Sequence, residues 1–348
     1  MEGHPRKPAP SQNKGPWGIL ENNRPVPSLK ATSKRVFRKN CPVEVHYGRQ
    51  EMLLIMKKFT YRKVDAFTSG KSRGNPAAYL LTGPLQLTEN EMLAIAQEHK
   101  GFVSEVVFCS NSDLADLKLT YFSSECEVDF CGHGTVATVY DIMRSNDKLR
   151  SKSEITIETN RKGLLTVYNR INTDDAVYIT APQAQWLQIT VSRDAIADVL
   201  GLAPEAICSD LPLAFIDAGL RTLIVPVAEF DTEVSVYPEL ERVKEFCLNH
   251  GIDIILIFCM QTSSPDCCAH TRVLAAKFGY LEAPATGSGN SAFAYYMLRY
   301  KLWDGTPTKV EQGGDNIVFN AVSLMKNGDK VLFGGSAALR IAGQYFLS

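Results

Sequence analysis

The sequence predicts an α+β protein built from two similar halves, each a barrel-like, mostly antiparallel sheet around one central helix. Segments with the alternating pattern of strands occur in runs, and they do not alternate strictly with helices. A short glycine turn occurs twice, as C-G-H-G-T-V-A at 131–137 and as T-G-S-G-N-S-A at 286–292. Each copy leads into an apolar run typical of a buried helix. The copies start 155 residues apart (286 minus 131) in a chain of 348, which indicates a duplicated architecture with one site between the copies.

In the first half, residues 59–67 alternate like a strand, and the turn-forming run G-N-P-A-A follows at 74–78. Thr88 predicts the N-cap of a helix, and Glu91 three residues later completes a capping box. The apolar run at 135–144 predicts the buried helix that follows the first glycine turn. The other strands predicted in this half are 103–109, 117–122, 155–159, 164–169 and 176–180.

The second half repeats this style. Ser192 predicts the N-cap of a helix that ends at Gly201, and a further helix over 238–251 closes at Gly251. The run at 291–300 predicts the buried helix that follows the second glycine turn. The strands predicted in this half are 213–219, 220–227, 252–260, 270–278, 316–324, 330–336 and 339–347.

Two boundaries divide the chain. Residues 1–58 are rich in Pro, Lys, Arg and Asn and lack periodicity, which is typical of a disordered extension. The basic excess of this extension leaves a targeting segment as the alternative. The two halves are expected at 59–180 and 181–348, with the C-terminal strands as the part that could cross back to the first half.

Composition excludes several classes of function. The apolar fraction is 45%, the charged fraction is 22% and the net charge is −1, so neither nucleic acid nor a membrane surface is favoured as a partner. No apolar run approaches the ~20 residues that span a bilayer. Nine cysteines, an odd number, favour free thiols in a reducing compartment, so a cytoplasmic location is expected. The D-C-C-A-H run at 266–270 places its ligands too close together for one ion, and no metal site is predicted.

The two glycine turns are candidates for binding an anion. A helix N-terminus offers unpaired backbone N–H groups and a partial positive charge. Glycine lets an anion approach that backbone closely. Two such N-termini at one cleft would hold a carboxylate or a developing enolate. The sequence therefore indicates an anion held at 132–134 and 287–289.

Reactive side chains lie inside the first turn. The position of Cys131 just before a helix is expected to lower the pKa of its thiol, and the alternative is a buried, inert cysteine. His133 is a candidate acid, base or hydrogen-bond donor, and the alternative is a structural histidine. Thr286 occupies the matching position in the second turn. Because a hydroxyl is a poor base at neutral pH, a mechanism with two symmetrical thiols is not expected.

Glu105 is the remaining candidate for proton transfer. It lies in the apolar segment V-S-E-V-V-F. Such a carboxylate is either on an outward strand position, which the pattern slightly favours, or desolvated with a raised pKa. A raised pKa would suit a general acid or base near neutral pH.

Four motifs in this order resemble the phenazine-biosynthesis isomerase family, the PhzF-like proteins. The resemblance covers roughly residues 59–348. Its motifs are V-D-A-F-T at 64–68 with G-N-P-A-A at 74–78, S-E-V-V-F at 104–108, E-V-D-F-C-G-H-G-T at 127–135, and E-A-P-A-T-G-S-G at 282–289.

This resemblance implies a fold similar to diaminopimelate epimerase and a cofactor-independent isomerisation by proton abstraction and return. It implies a small carboxylate-bearing substrate, a homodimer, and Glu105 as the acid/base residue. With it, the candidate catalytic residues are Glu105, His133 and Cys131. The candidate substrate-binding residues are Asn75, Gly132, Gly134, Thr286, Gly287, Ser288 and Gly289.

One departure from the family pattern keeps alternatives open. Ala283 stands where the family has an aspartate in E-D-P-A-T-G, so this chain lacks that carboxylate. The first alternative is an epimerase, racemase or dehydratase of an amino or hydroxy acid with Cys131 as the base. The second is a non-catalytic member of the family that binds a metabolite in the same cleft. No flavin, nicotinamide or pyridoxal site is indicated, because the turns lack the spacing of nucleotide-binding motifs.

Overall fold

The structure is a computed structural model that describes residues 57–83 and 86–347, and it confirms the predicted α+β class. The predicted disordered extension lies outside the described residues, except that Lys57 and Lys58 already belong to the first strand. The helices are α1 (Glu89–Glu98), α2 (Gly132–Ser145), α3 (Asp147–Arg150), α4 (Ile171–Asp174), α5 (Arg193–Leu200), α6 (Phe230–Ser235), α7 (Leu240–Asn249) and α8 (Gly287–Arg299). Two short 3₁₀ turns are Pro204–Ala206 and Ala276–Phe278.

The strands number from β1 to β18 within the described residues. They are β1 (Lys57–Ala66), β2 (Asn75–Leu81), β3 (Glu105–Ser110), β4 (Leu117–Ser123), β5 (Glu127–Val128), β6 (Glu154–Thr159), β7 (Gly163–Arg170), β8 (Ala176–Thr180), β9 (Gln185–Leu187), β10 (Ala214–Asp217), β11 (Arg221–Pro226), β12 (Ile254–Cys259), β13 (Cys267–Leu274), β14 (Glu282–Ala283), β15 (Thr308–Gln312), β16 (Asn320–Asn327), β17 (Lys330–Gly335) and β18 (Ala337–Leu347).

Strand pairing shows the same arrangement twice. In the first copy, β1 to β4 and β6 to β8 pair in chain order, and β5 pairs with β4. In the second copy, β10 to β13 and β15 to β17 do the same, and β14 pairs with β13. The parallel pairs fall at equivalent places, β2–β3 and β4–β6 in one copy, β11–β12 and β13–β15 in the other. The two halves are therefore similar in topology, as predicted.

Each copy also receives a strand at its outer edge. Strand β9 pairs antiparallel with β10, and β18 pairs antiparallel with β1. The chain thus returns at its C-terminal end to the strand with which the described residues begin. A pairing between β8 and β17 joins the two sheets. The placement of domain boundaries at 59–180 and 181–348 stays a prediction.

The buried helices lie against the concave side of these sheets. Helix α2 packs on β1, β2, β3 and β8, and α8 packs on β10, β11, β12, β16 and β17. Ten residues of α2, from Gly134 to Met143, are buried, so this helix is enclosed nearly all round. Each central helix follows a two-residue strand, β5 or β14, within a few residues. The glycine turns therefore connect the rim of each sheet to the helix inside it.

Several local predictions are confirmed and two are wrong. Thr88 and Glu91 form the capping box of α1, and Ser192 caps α5, which ends at Gly201 in the left-handed conformation. The strand predicted over 316–324 begins only at Asn320, because a turn precedes it in which the Ile317 N–H donates to the Gly314 carbonyl at 3.0 Å. The strand predicted over 270–278 ends at Leu274, where the chain turns into the 3₁₀ segment.

Two broader observations concern thiols and membranes. The cysteines of the described residues are free thiols, as the sequence predicts. Among the helices of the described residues, none combines the length and apolar character that a membrane crossing requires.

Candidate active site

The first glycine turn places a thiol over a helix N-terminus. Cys131 is the N-cap of α2, and its Sγ accepts a hydrogen bond from the Gly134 N–H at 3.3 Å. A Cβ atom at position 134 would lie 2.9 Å from this sulfur and 2.9 Å from Val107 Cγ2. Glycine at this position therefore allows the Cys131 side chain to fold over the first turn of the helix.

Glu105 meets this turn from the first residue of β3. Its Oε2 lies 3.2 Å from His133 Nε2 and 3.7 Å from Cys131 Sγ. The sulfur lies 3.4 Å from His133 Nδ1. The Glu105 side chain is 22% exposed and that of His133 is 13% exposed. The slightly favoured outward position of Glu105 is therefore wrong: the carboxylate turns to α2 and forms a half-buried cluster with Cys131 and His133.

The sequence led us to expect a lowered pKa for Cys131 and, if Glu105 is desolvated, a raised pKa for Glu105; the structure gives the opposite direction for each. Burial raises the pKa of Glu105, but the hydrogen bond and positive charge of His133 outweigh it, so the pKa falls below its usual value. Burial lowers the pKa of His133, but its interactions with Cys131 and Glu105 outweigh burial and raise this pKa well above its usual value. Burial raises the pKa of Cys131, and the Glu105 carboxylate adds to the rise. At neutral pH Glu105 is thus a carboxylate and Cys131 a protonated thiol.

The second glycine turn repeats the backbone of the first. Thr286 is the N-cap of α8, and a Cβ atom at Gly289 would lie 2.7 Å from Thr286 Oγ1. Position 289 thus requires glycine for the same reason as position 134. The Thr286 hydroxyl does not cap the helix; its Oγ1 lies 3.3 Å from Gln312 Oε1, which also accepts the Thr286 N–H at 3.0 Å. The side chain of Ser288, in the first turn of α8, is half-buried.

Both helix N-termini lie against one aromatic ring. A Cβ atom built on Gly132 would lie 3.1 Å from Phe333 Cε2, and one built on Gly287 would lie 2.2 Å from the same atom. Phe333 belongs to β17 and is 2% exposed. The two turns therefore come together at this ring.

Asn75 ties the start of β2 to the segment just before the second glycine turn. Its Nδ2 donates to the Ala285 carbonyl at 2.7 Å, and the residue is 7% exposed. Beside it, Asn320 accepts the Gly74 N–H at 2.8 Å and donates to the Pro284 carbonyl at 2.8 Å. The Asn75 Nδ2 is thus already hydrogen-bonded to the backbone just before the second glycine turn. Asn320 was not identified from the sequence, because its two partners are far away along the chain.

Ala283 is buried, so the position of the family's aspartate carries no carboxylate. Its carbonyl accepts the Gln312 Nε2–H at 2.9 Å, and the residue is 2% exposed. The neighbouring Glu282 forms two hydrogen bonds with the buried guanidinium of Arg272, at 3.1 and 2.7 Å. Because Glu282 is tied to Arg272, it cannot take the place of the missing aspartate.

Tyr280 is a second residue that sequence reasoning missed. Burial raises its pKa to about 12, and the negative charges of Glu105 and Cys131 add to the rise. The residue is 44% exposed, and it lies in the segment that precedes β14, near enough to the cluster for the charges there to act on its hydroxyl. Nothing in the spacing of Tyr280 pointed to the cluster, since 175 residues (280 minus 105) separate it from Glu105.

Glu105, Cys131 and His133 also form a group of potential metal ligands. Their ligand atoms all lie within 4.8 Å of one another. A thiol, an imidazole and a carboxylate are donors that suit a transition metal better than Mg²⁺ or Ca²⁺.

Comparison with known proteins identifies the class to which this fold and site belong. The profile of the family described as phenazine biosynthesis-like protein matches residues 64–343. The chain belongs to this family, and it is an enzyme of the isomerase class. The resemblance seen in the four sequence motifs is thereby confirmed.

Individual relatives agree with this assignment. The uncharacterized isomerase YfhB of Bacillus subtilis is 34% identical over 262 residues, which cover 74% of this chain and 87% of that protein. The crystal structure of a phenazine biosynthesis protein of the PhzF family from Bacillus anthracis shares 27% identity, covers 83% of this chain and 99% of that one, and superimposes with a TM-score of 0.73. A hydroxyproline epimerase from Agrobacterium vitis shares the fold at 12% identity and a TM-score of 0.53, covering 84% of this chain and 92% of its own.

Proposed function

We propose that this protein is a cofactor-independent isomerase that moves a proton between two carbon atoms of a small, carboxylate-bearing metabolite. The observation that carries the proposal is the cluster of Glu105, Cys131 and His133 at the N-terminus of α2. Proton transfer at carbon needs a base within reach and a means of stabilising the negative charge that develops. The cluster supplies the base, and the two helix N-termini beside Phe333 supply the donors.

Glu105 is the acid/base residue in this proposal. Its carboxylate is ionised at neutral pH, so it is ready to accept a proton. Its low pKa comes from His133, which makes it a weak base while the two are paired. A substrate oxygen that accepts the His133 N–H in place of Glu105 removes the hydrogen-bond part of this cause and raises the basicity of the carboxylate. Substrate binding would therefore activate Glu105, and the protonated Glu105 would return the proton to a second carbon.

The two glycine turns would hold the substrate carboxylate and the developing enolate. Helices α2 and α8 have 14 and 13 residues, long enough for a partial positive charge at each N-terminus. The residues proposed to line the anion site are Gly132, Gly134, Gly287, Ser288 and Gly289, with Thr286 at the start of α8. The Gly134 N–H already donates to Cys131 Sγ and the Thr286 N–H to Gln312 Oε1, so the N–H groups proposed to bind the anion are those of Gly132, Gly287, Ser288 and Gly289. The Asn75 side chain would support them by fixing the backbone at Ala285.

The electrostatics favour Glu105 over Cys131 as the base. The pKa of the Cys131 thiol is raised, so the thiolate that an epimerase mechanism needs is disfavoured. On the opposite side, the Thr286 hydroxyl lies within hydrogen-bonding distance of Gln312. An epimerase or racemase that uses two thiols is therefore not supported. We also propose a homodimer in a reducing compartment such as the cytoplasm, and light scattering of the purified chain tests the dimer.

Deuterium incorporation tests the function across many candidate substrates at once. Purified protein is incubated in deuterated water with a panel of small carboxylate metabolites, and mass shifts are read for each. We expect wild-type protein to exchange at least one of them and Glu105→Gln to lose at least about 100-fold in rate, because general acid–base catalysis contributes this much.

Two further variants make the result specific. Glu125→Gln, which changes an exposed glutamate paired with Lys100 at 2.9 Å, is the matched control and should exchange like the wild type. Cys131→Ser should retain exchange, because serine keeps a side chain that caps α2. Full exchange by Glu105→Gln, or loss confined to Cys131→Ser, would contradict the assignment of Glu105.

A further inference from the structure

The cluster of Glu105, Cys131 and His133 has the dimensions of one face of a tetrahedral zinc site. Zinc bonds of about 2.3 Å to sulfur, about 2.05 Å to nitrogen and about 2.1 Å to oxygen place tetrahedral ligands about 3.6 Å (S to N), about 3.6 Å (S to O) and about 3.4 Å (N to O) apart. The corresponding distances here are 3.8 Å from Cys131 Sγ to His133 Nε2, 3.7 Å from Sγ to Glu105 Oε2, and 3.2 Å from Nε2 to Oε2. Each agrees within about 0.2 Å, the tolerance used for metal–ligand distances in a candidate site.

The surroundings of the three ligands suit a metal as well. The Gly134 N–H donates to the sulfur at 3.3 Å, and such an outer contact stabilises a metal-bound thiolate. The side chains of Glu105 and His133 are partly exposed, so an ion can reach them from solvent. Three protein ligands leave a fourth position for water, the arrangement of an open zinc site.

We propose that Glu105, Cys131 and His133 bind Zn²⁺, and that the bound ion inhibits the enzyme. Zinc would bind as the Cys131 thiol loses its proton to solvent, with His133 in its neutral form, so the ion replaces protons that the cluster otherwise holds. The ion is an inhibitor here and takes no part in the isomerisation. Inhibition rests on the proposed function of Glu105, because a coordinated carboxylate cannot accept a substrate proton; the binding of zinc does not rest on it.

Cobalt titration tests the site independently of catalysis. Co²⁺ added to the metal-free full chain should give the intense visible bands of a four-coordinate ion together with a thiolate-to-cobalt absorption, and Zn²⁺ should displace it. Mg²⁺ should not compete, because soft and imidazole ligands disfavour it. Cys131→Ser and His133→Asn should each weaken Zn²⁺ binding by more than the roughly 10–100-fold that loss of an outer contact costs.

A matched variant separates this site from other thiols. Cys126→Ser removes an exposed cysteine five positions from Cys131 and should leave the cobalt spectrum unchanged. Circular dichroism of each metal-free variant establishes that it is folded. Absence of the thiolate absorption in wild type, its persistence in folded Cys131→Ser, or its loss in Cys126→Ser would each overturn the site.

Inhibition is measured separately, on deuterium exchange of whichever metabolite the wild type processes. Stoichiometric Zn²⁺ should abolish this exchange, and a chelator should restore it. Exchange that continues with the site filled overturns inhibition and leaves the zinc site standing. If no metabolite exchanges, the proposed function fails, while the cobalt spectra still decide whether the site binds metal.

Discussion

Replacement of Gly287 by alanine tests whether the two helix N-termini meet at the Phe333 ring. The new Cβ would lie 2.2 Å from Phe333 Cε2, whereas ordinary contact begins at 3.4 Å, so the ring or the helix must move by about 1.2 Å. Phe333 is 2% exposed and packed in the main hydrophobic core, which leaves it little room. Overpacking of this kind costs about 1–3 kcal/mol, and the better helix propensity of alanine offsets up to about 1 kcal/mol.

Gly132→Ala is the matched control, because it makes the same chemical change at the equivalent position. Its Cβ would lie 3.1 Å from the same ring atom, so a displacement of about 0.3 Å is enough. We expect Gly287→Ala to be less stable than Gly132→Ala by about 2 kcal/mol, or about 3 °C in melting temperature for a folded chain of this size. Thermal and urea denaturation followed by circular dichroism measure the difference.

A third variant shows whether the cost arises at the ring. Phe333→Ala removes the ring atoms nearest to position 287, so in that background Gly287→Ala should cost at least about 1 kcal/mol less than in wild type. Equal stability of the two alanine variants, or equal costs of Gly287→Ala in both backgrounds, would refute the reasoning that the two turns meet at one ring.

Two further predictions concern stability. Burial raises the pKa of Asp253, but Arg221 and Lys277 outweigh it and lower this pKa to about 2. The stability that Asp253 contributes is therefore present above about pH 4 and is lost as pH falls toward 2. Asp253→Asn should cost about 1–2 kcal/mol of unfolding free energy at pH 7 and progressively less below pH 4, as measured by urea titration. A cost that does not vary with pH would contradict this. Gln312→Leu leaves the Thr286 N–H, the Asn290 Nδ2–H and the Ala283 carbonyl without their partner and should cost about 3 kcal/mol or more of unfolding free energy. The control Gln261→Leu, at an exposed position, should stay within about 0.5 kcal/mol. Equal costs would show that the Gln312 amide does not hold the start of α8.

Local signals in the sequence were sufficient for much of the fold. The capping box at Thr88 and the repeated glycine turns act over three or four residues, and each predicted a helix that the structure contains. The same turns placed Cys131 at the start of α2. The position of Glu105 beside them followed from the family resemblance, since its strand pattern alone slightly favoured solvent.

Features held by distant residues could not be predicted in this way. Helix α6 was not identified because F-D-T-E-V-S lacks an apolar period. Its C-terminal carbonyls accept hydrogen bonds from Arg272, which reaches Glu233 and Val234 at 3.0 Å from strand β13. The pKa of Cys131 has a similar origin: its place at a helix N-terminus favours the thiolate, but burial and the distant Glu105 reverse the result.

The return of β18 to β1 has a consequence for biosynthesis. Lys57 pairs with Leu347, so the outer edge of the sheet around α2 is completed by a strand that the ribosome makes long after β1. Co-translational folding can finish the strands around α8 earlier, but β1 lacks this partner until β18 has been made. Deletion of β18 would then expose the edge of β1 and favour aggregation of the nascent chain.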